Sequence, residues 1–427
     1  MNYKLINQCR ICGSKDLTDV FSFPAQFLSP TFVESNEKNI LATIKVPLTV
    51  TLCNIHKNPK GCGLVQLRET TDHNLLYTNY FYRSATNATM RRDLKNVVDD
   101  VMSRAPLSAG DVVVDIGSND GTMLTYFPSN LVRIGVEPAK NISWEALDPE
   151  ICVVNDYFSK SALAHALAGR KVKVFTSCAM FYDLDDPNIF VSEIKELLAP
   201  DGIFCIQLSY LVSMLKNMNF YDVCHEHLEY YSLTVLNSLM ERNGLSIFDA
   251  ETNAVNGGSV RVFITHTERA PHESQNLREL LKIENEMHLF DEATYREFYE
   301  KIMNLARTIK EYIYSEIQKG RLVIGLGAST KGNVLLQLFG IDNTMLPYIS
   351  EINKEKIGKR TLGTDIELIS DERASKLKPS AKLVLPWYFK EEIVKREEPY
   401  LRQGGKLLFP MPSAHIVTRD GEQALSL

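Results

Sequence analysis

The chain is predicted to be an α/β protein built in three successive parts, and three observations predict it. Its 427 residues are more than one hydrophobic core usually supports. Short β-branched runs alternate with helical stretches in two separate regions, the pattern of stacked strand and helix units. A cysteine-bearing, turn-rich segment expected to hold only short strands precedes both. The parts divide as 1–68, 69–270 and 271–427.

Composition narrows the function classes. A chain with 44% hydrophobic and 23% charged residues and no biased tract is ordinary folded protein. Its net charge of −6 gives no reason to expect a nucleic acid partner. The N-terminal MNYKLINQCRICG lacks the apolar region of a signal peptide, and no run approaches the ~18 apolar residues that span a bilayer. A cytosolic protein without a membrane partner is expected. No period of 20 to 50 residues repeats, so a solenoid is excluded, and nothing specifies an oligomer.

In the first part, Cys9 and Cys12 form C-x2-C closed by Gly13, and Cys53 and Cys62 follow with Gly63 after the second. Two thiolate pairs on glycine-closed turns can fill the four corners of a structural zinc site. Eight residues separate Cys53 from Cys62, and His56 between them is a competing ligand. A small region with few apolar residues needs such a staple. In a reducing compartment disulfides are not expected. Cys152, Cys178 and Cys205 sit among apolar neighbours and are expected in the core.

The second part opens on a tyrosine cluster and a helix, MRRDLKNVVDDVMSR. Strands follow at 112–116 (VVVDI), 132–137 (VRIGVE), 172–177 (VKVFTS) and 203–207 (IFCIQ), with helical stretches such as SKSALAHALAG between them. A helix, LTVLNSLMERNG, then leads to LSIFDAE and SVRVFITH, placed to pair as an antiparallel edge. A parallel sheet finished by an antiparallel pair is the arrangement of the class I methyltransferase sheet, whereas dinucleotide-binding sheets are usually parallel throughout.

Within that sheet VVVDIGSNDGT reads as strand, turn and helix. The turn Gly117-Ser118-Asn119-Asp120-Gly121 spaces its glycines as G-x-x-x-G, which departs from the dinucleotide fingerprint. Acids instead converge on the carboxyl rim: Asp115 at the strand end, Asp120 in the loop and Glu137 at the tip of the next strand. They suit S-adenosylmethionine, whose ammonium and sulfonium are cationic and whose ribose offers two hydroxyls to one carboxylate. Asp156, Tyr157 and Phe158 would flank the adenine, and Ser177 ends the neighbouring strand.

The third part begins with a helical stretch over 273–319, where Tyr295, Phe298, Ile302, Leu305, Ile309 and Tyr312 recur at steps of three and four and Gly320 stands at the C-terminus. A second, Rossmann-like α/β unit follows through RLVIGLGAST, LPYISEI, AKLVLPWYF and KLLFPMPS. Its GLGASTKGN replaces the third glycine of the dinucleotide pattern with Thr330.

CHEHLEYYS (224–232) gathers the remaining chemistry. His225 and His227 are spaced to share a metal on one strand face, to cap the helix near Ser232, or to serve in acid–base work.

Taken in order, CRICG, CGLVQL, NYFYRSATNATM, DIGSNDGT, CHEHLEYYS, NGGSVRV, GLGASTKGN and LPWYF resemble the NDP-sugar C-methyltransferase family over essentially the whole chain. The resemblance implies a zinc-bearing first domain, a central S-adenosylmethionine-dependent domain and a C-terminal Rossmann-like domain over the nucleotide-sugar. It implies a methyl branch added, through an enolate, at C3 of a nucleotide-linked 4-keto-6-deoxyhexose. His227 and Glu226 match the family's acid–base pair, with His227 the expected base. Tyr82 matches a tyrosine near the reacting carbons, with Tyr80 its neighbour. Gly327, Lys331, Asn333 and Trp387 are the substrate-binding candidates of the third domain, Lys331 toward a phosphate. Cys224 stands where relatives often carry tyrosine and Met180 where they often carry histidine. Tyr182 and His225 are the candidates to compensate. The competing readings are an NAD-dependent sugar oxidoreductase using GLGAST and Glu351, and a non-catalytic nucleotide-binding scaffold.

Overall fold

The structure is a computed structural model that describes residues 3–34, 44–77, 82–144 and 147–425. Its centre is a seven-stranded sheet in the order Leu245–Asn253, Ser259–His266, Leu198–Ser209, Val172–Cys178, Val112–Ile116, Val132–Val136, Ile151–Val154. Every neighbouring pair is parallel except those made by Ser259–His266, which runs against both of its neighbours. That is the class I methyltransferase sheet. The antiparallel strand lies inside, leaving Leu245–Asn253 at the edge. All five residues of Val112–Ile116 are buried, which is why the central strand reads as an unbroken apolar run rather than an alternating one.

Two expectations fail here. The glycine turn leads not to an α-helix but to a single 3₁₀ turn, Met123–Tyr126. Pro128 holds Phe127 in an extended conformation and ends it. Cys205 is buried, but Cys178 is only half-buried and Cys152 is exposed. Cys152 lies on the edge strand Ile151–Val154, of which only Ile151 is fully buried.

The first part supplies strands Leu17–Phe27, Lys45–Cys53 and Val65–Leu67 to a four-stranded sheet. The first two are longer than expected. Pro24, which cannot donate to a ladder, sits where the register shifts between Phe23 and Gln26. The fourth strand is Glu229–Tyr230, from the CHEHLEYYS tract.

In the third part five parallel strands, Lys406–Phe409, Ala381–Val384, Val323–Leu326, Tyr348–Glu351 and Glu367–Ser370, form the middle of a nine-stranded sheet. Its far edge is Phe32–Val33 from the first part, paired with Arg360–Thr361. The helical stretch divides at residues 287–291, where His288 adopts φ 52°, into Gln275–Glu286 and Glu292–Gln318. The longer helix buries Tyr295, Phe298, Ile302, Leu305 and Ile309 as its spacing predicts, and Gly320 follows at φ 71°.

Candidate active site

Register places the acids. Asp115 pairs with Thr176 on one side and Gly135 on the other, and the Thr176 hydroxyl donates to its Oδ1 at 2.8 Å. Burial pushes the Asp115 carboxyl up to about 8. Glu137 is buried and accepts from the backbone N–H of Asn119 at 2.9 Å and of Ala139 at 2.8 Å, while burial raises its carboxyl. Gly117 has φ 73°, and a Cβ there would lie 3.0 Å from Met180 Cγ. The loop therefore packs directly against the turn after strand Val172–Cys178. Ser118 Oγ and Ser177 Oγ are buried without a hydrogen-bond partner among the described residues, so two hydroxyls at this rim are free for a ligand. Acids, free hydroxyls and a close-approach glycine fit S-adenosylmethionine.

Asn119 and Asp120 do something the sequence does not announce. Asn119 Oδ1 accepts from Ser84 N at 3.0 Å, its Nδ2 donates to Tyr82 O at 3.1 Å, and Asp120 Oδ2 accepts from Ala85 N at 2.8 Å. These loop side chains hold the segment that carries Tyr82, itself 42% exposed. Tyr80 lies outside the described residues. Tyr157 is exposed beside the His73 ring, and Asp156 accepts from Tyr157 N. Phe158 packs against Phe190 and Phe175 instead, its ring centroid 4.6 Å from that of Phe190.

The CHEHLEYYS tract crosses behind this rim. Its backbone is fixed by Leu228 N donating to Tyr182 O at 2.7 Å, and the His227 and Tyr182 rings lie 4.0 Å apart. Burial, and then the Lys331 charge, hold the His227 imidazole well below its ordinary range, so it is neutral at pH 7. Glu226 is buried with Oε2 unpartnered among the described residues, and burial raises its carboxyl to about 7. His225 is turned toward the first part: its Nε2 lies 3.3 Å from Val46 O and its Nδ1 3.5 Å from Ser29 Oγ. Burial lowers that imidazole to about 4. Neither histidine caps the helix Leu233–Arg242. Ser232 accepts from Val235 N, and the Glu284 carboxylate accepts from Leu233 N and Thr234 N. Among the described residues the tract joins no metal-ligating cluster.

The third part reaches into the same place. Lys331, on the helix Thr330–Phe339, forms a buried ion pair with Asp222 and lies 5.8 Å and 5.9 Å from the ring centroids of Tyr221 and Tyr388. Asn333 Nδ2 donates to Ser29 O at 2.8 Å, and Trp387 Nε1 is buried without a partner among the described residues. Gly327 has φ 79° and packs under Pro386. Both oxygens of Glu351 accept backbone N–H groups, from Ala328, Ile352 and Asn353. Sequence reasoning missed Asp222, Tyr221 and Tyr388. The signal was a carboxylate two residues ahead of Cys224 in an apolar stretch, since a buried lysine requires a counter-charge.

The cysteine set forms one cluster. The Sγ atoms of Cys9, Cys12, Cys53 and Cys62 lie within 4.8 Å of one another, with 3.5 Å between Cys9 and Cys62 and between Cys12 and Cys53. Tetrahedral coordination at about 2.3 Å per Zn–S bond sets sulfurs roughly 3.8 Å apart, so four soft thiolates at this spacing fit Zn²⁺. His56 is not part of it, since its Nε2 lies 2.7 Å from Asp291 Oδ1. Between the ligands, Arg10 is buried, donates to Leu67 O and Thr70 Oγ1, and pairs with Glu229, its Nε 3.7 Å from the carboxylate.

Comparison with known proteins agrees with this geometry. The chain is 31% identical over 422 residues to the C-methyltransferase NovU of Streptomyces niveus, covering 97% of this chain and 98% of that protein. The chain belongs to the C-methyltransferase family. Three family models match this C-methyltransferase in order: "Putative zinc binding domain" over 9–77, "Methyltransferase domain" over 89–250 and "C-methyltransferase C-terminal domain" over 254–412. Among solved structures, it resembles the glycopeptide N-methyltransferase MtfA complexed with S-adenosylmethionine at TM-score 0.33 and 12% identity, over 44% of this chain and 96% of that one. An S-adenosylmethionine-dependent methyltransferase from Clostridium acetobutylicum gives TM-score 0.33 and 11% identity, over 41% and 92%. The enzyme is an S-adenosylmethionine-dependent C-methyltransferase with a four-cysteine zinc-binding region. Among its described residues no helix is long and apolar enough to cross a membrane.

Proposed function

We propose that this C-methyltransferase acts on a nucleotide-linked 4-keto-6-deoxyhexose and adds a methyl branch at C3, the carbon beside the ketone, through an enolate. One observation carries the reading: a buried, neutral His227 imidazole in tilted contact with the Tyr182 ring and next in sequence to Glu226, whose Oε2 is unpartnered among the described residues. The site is continuous with the cofactor loop, because Met180 touches Gly117 and Tyr182 touches His227.

Bound S-adenosylmethionine supplies an electrophilic methyl group. Carbon must then be made nucleophilic, which requires a base to take the α-proton and a dry pocket in which the charge is not dissipated. His227 is the base. Glu226 orients the imidazole and, once ionised, favours the imidazolium that forms. Asp115 and Glu137 hold the cofactor's cationic and ribose ends. Tyr82, gripped through its backbone by Asn119, closes the sugar side. The similarity to the C-methyltransferase NovU over nearly the whole of both chains supports the reaction class.

The deciding experiment supplies methyl-labelled S-adenosylmethionine and a panel of thymidine, uridine and guanosine diphosphate 4-keto-6-deoxyhexoses, and locates the new carbon by NMR. A branch at C3 is expected. Label appearing on oxygen or nitrogen, or no transfer to any keto sugar while the corresponding alcohols react, would refute the enolate route.

A further inference from the structure

The enolate route needs a group to hold the charge that builds on the ketone oxygen, and the residue two places before Glu226 in the tract is Cys224. Cys224 is buried, and burial raises its thiol well above the ordinary range, so it is neither a charged group nor a strong donor. The structure contains another candidate a short distance away. Lys331 comes from the third part, yet its amine is buried beside the tract, and its charge acts on Cys224, Glu226, His227 and Asp183. Asp222 is its ion-pair partner, and that carboxylate is fixed in turn by Asn219 Nδ2 at 2.7 Å.

An ammonium has three donors. Besides Asp222, Lys331 Nζ has no hydrogen-bond partner among the described residues, and the buried carboxyls of Glu226 and Asp183, which bond Cys224 and Tyr77, each keep one oxygen, Oε2 and Oδ1, unused. Burying unused donors of a charged group is costly, and native interiors seldom tolerate it without a ligand or water to complete the set. Tyr221 and Tyr388 flank the amine and fix it by their ring faces. A phosphate anchor would suit a solvent-reachable lysine at the outer helix end. This amine is buried on Asp222, and its charge is felt at Glu226 and His227.

We infer that Lys331, held by Asp222, is the catalytic donor that binds the substrate ketone oxygen and carries the enolate charge while His227 removes the neighbouring proton. The step balances: the α C–H bond breaks, its electron pair forms the C=C bond as the C=O pair moves onto oxygen, and the proton passes to the imidazole. Lys331 keeps its own proton and stabilises the oxyanion by hydrogen bond and charge. The inference rests on the enolate reading of the same site.

The test follows loss of the sugar's α-proton in D2O by NMR, with S-adenosylhomocysteine bound, so that proton removal is read without methyl transfer. The same panel of nucleotide keto sugars is used at saturation. In Lys331→Met/Asp222→Asn, which removes the charge without leaving an unpaired carboxylate, exchange should fall on the order of 10²-fold while S-adenosylhomocysteine affinity stays within about threefold. Lys331→Gln/Asp222→Asn, which restores a neutral donor, should recover part of that loss. It also decides the matter should the first variant fail to bind S-adenosylhomocysteine. Exchange at the wild-type rate in either variant, with only sugar affinity weakened, would show Lys331 to be an anchor and overturn the inference alone. Wild-type enzyme that methylates a panel sugar without exchanging any α-proton overturns the enolate reading and this inference together.

Discussion

His227 and Glu226 are adjacent in sequence and both buried, yet burial shifts them in opposite directions. It strips the proton from the imidazole and retains it on the carboxyl, so near pH 7 the histidine is ready to accept while the glutamate is close to its midpoint of about 7. His227→Ala should reduce methyl transfer by roughly 10²- to 10⁴-fold with S-adenosylmethionine affinity near wild type by calorimetry. An undiminished rate would remove it as the base. The rate should climb through pH 7 as Glu226 ionises, and that limb should vanish from the profile of Glu226→Gln. Stability should move the other way. The folded carboxyls of Glu226 and Asp115 titrate near 7 and 8, above their unfolded values, so their contribution is complete below the unfolded values near 4 and is lost as pH rises through 7 to 8. The melting temperature of the ligand-free protein should therefore fall across that window, and less steeply in Glu226→Gln.

The glycine turn shows how an element can be legible in outline and hidden in detail. Its position after the strand, its acids and the positive φ of Gly117 and Gly121 follow from residue types. What Asn119 and Asp120 do with their side chains does not, because their partners are backbone N–H and C=O groups 35 and 37 residues away. The 3₁₀ turn after it escapes for a related reason: Thr122-Met123-Leu124 looks helical, and only Pro128 and the packing of Met123 and Leu124 against Val97 and Val101 cut it short. Asn119→Gly keeps the left-handed backbone, φ 51° in the parent, while releasing the Tyr82 segment. It should lower kcat/KM for the sugar about tenfold with little change in cofactor affinity, whereas a reverse pattern would place Asn119 on the cofactor side.

At the scale of the whole molecule, the α/β character of both units, the antiparallel pair that finishes the first sheet and the four-cysteine cluster were readable from local patterns, since β-branched runs, turn glycines and C-x2-C are written within short windows. The interlacing was not, because nothing near Glu229 or Phe32 in sequence tells which sheet will accept it. Glu229 matters most. It carries the CHEHLEYYS tract into the first part's sheet and meets Arg10 inside the zinc loop. Removing zinc with a strong chelator, or Cys12→Ser, should therefore depress methyl transfer more than tenfold while S-adenosylmethionine still binds, because thiolate sites contribute folding energy to their own region. Equal loss of both activities would mean that the metal supports the whole chain rather than the tract.

The pairing of Val33 with Arg360 has a consequence for synthesis. The Phe32–Val33 strand is synthesised first, and it must wait through the translation of more than three hundred residues before Arg360 is made, roughly 16 to 65 seconds at 5 to 20 residues per second. Fragments ending before residue 361 thus leave an open β-edge, and the first part's outer strand finds its partner only once more than half of the third part has been made.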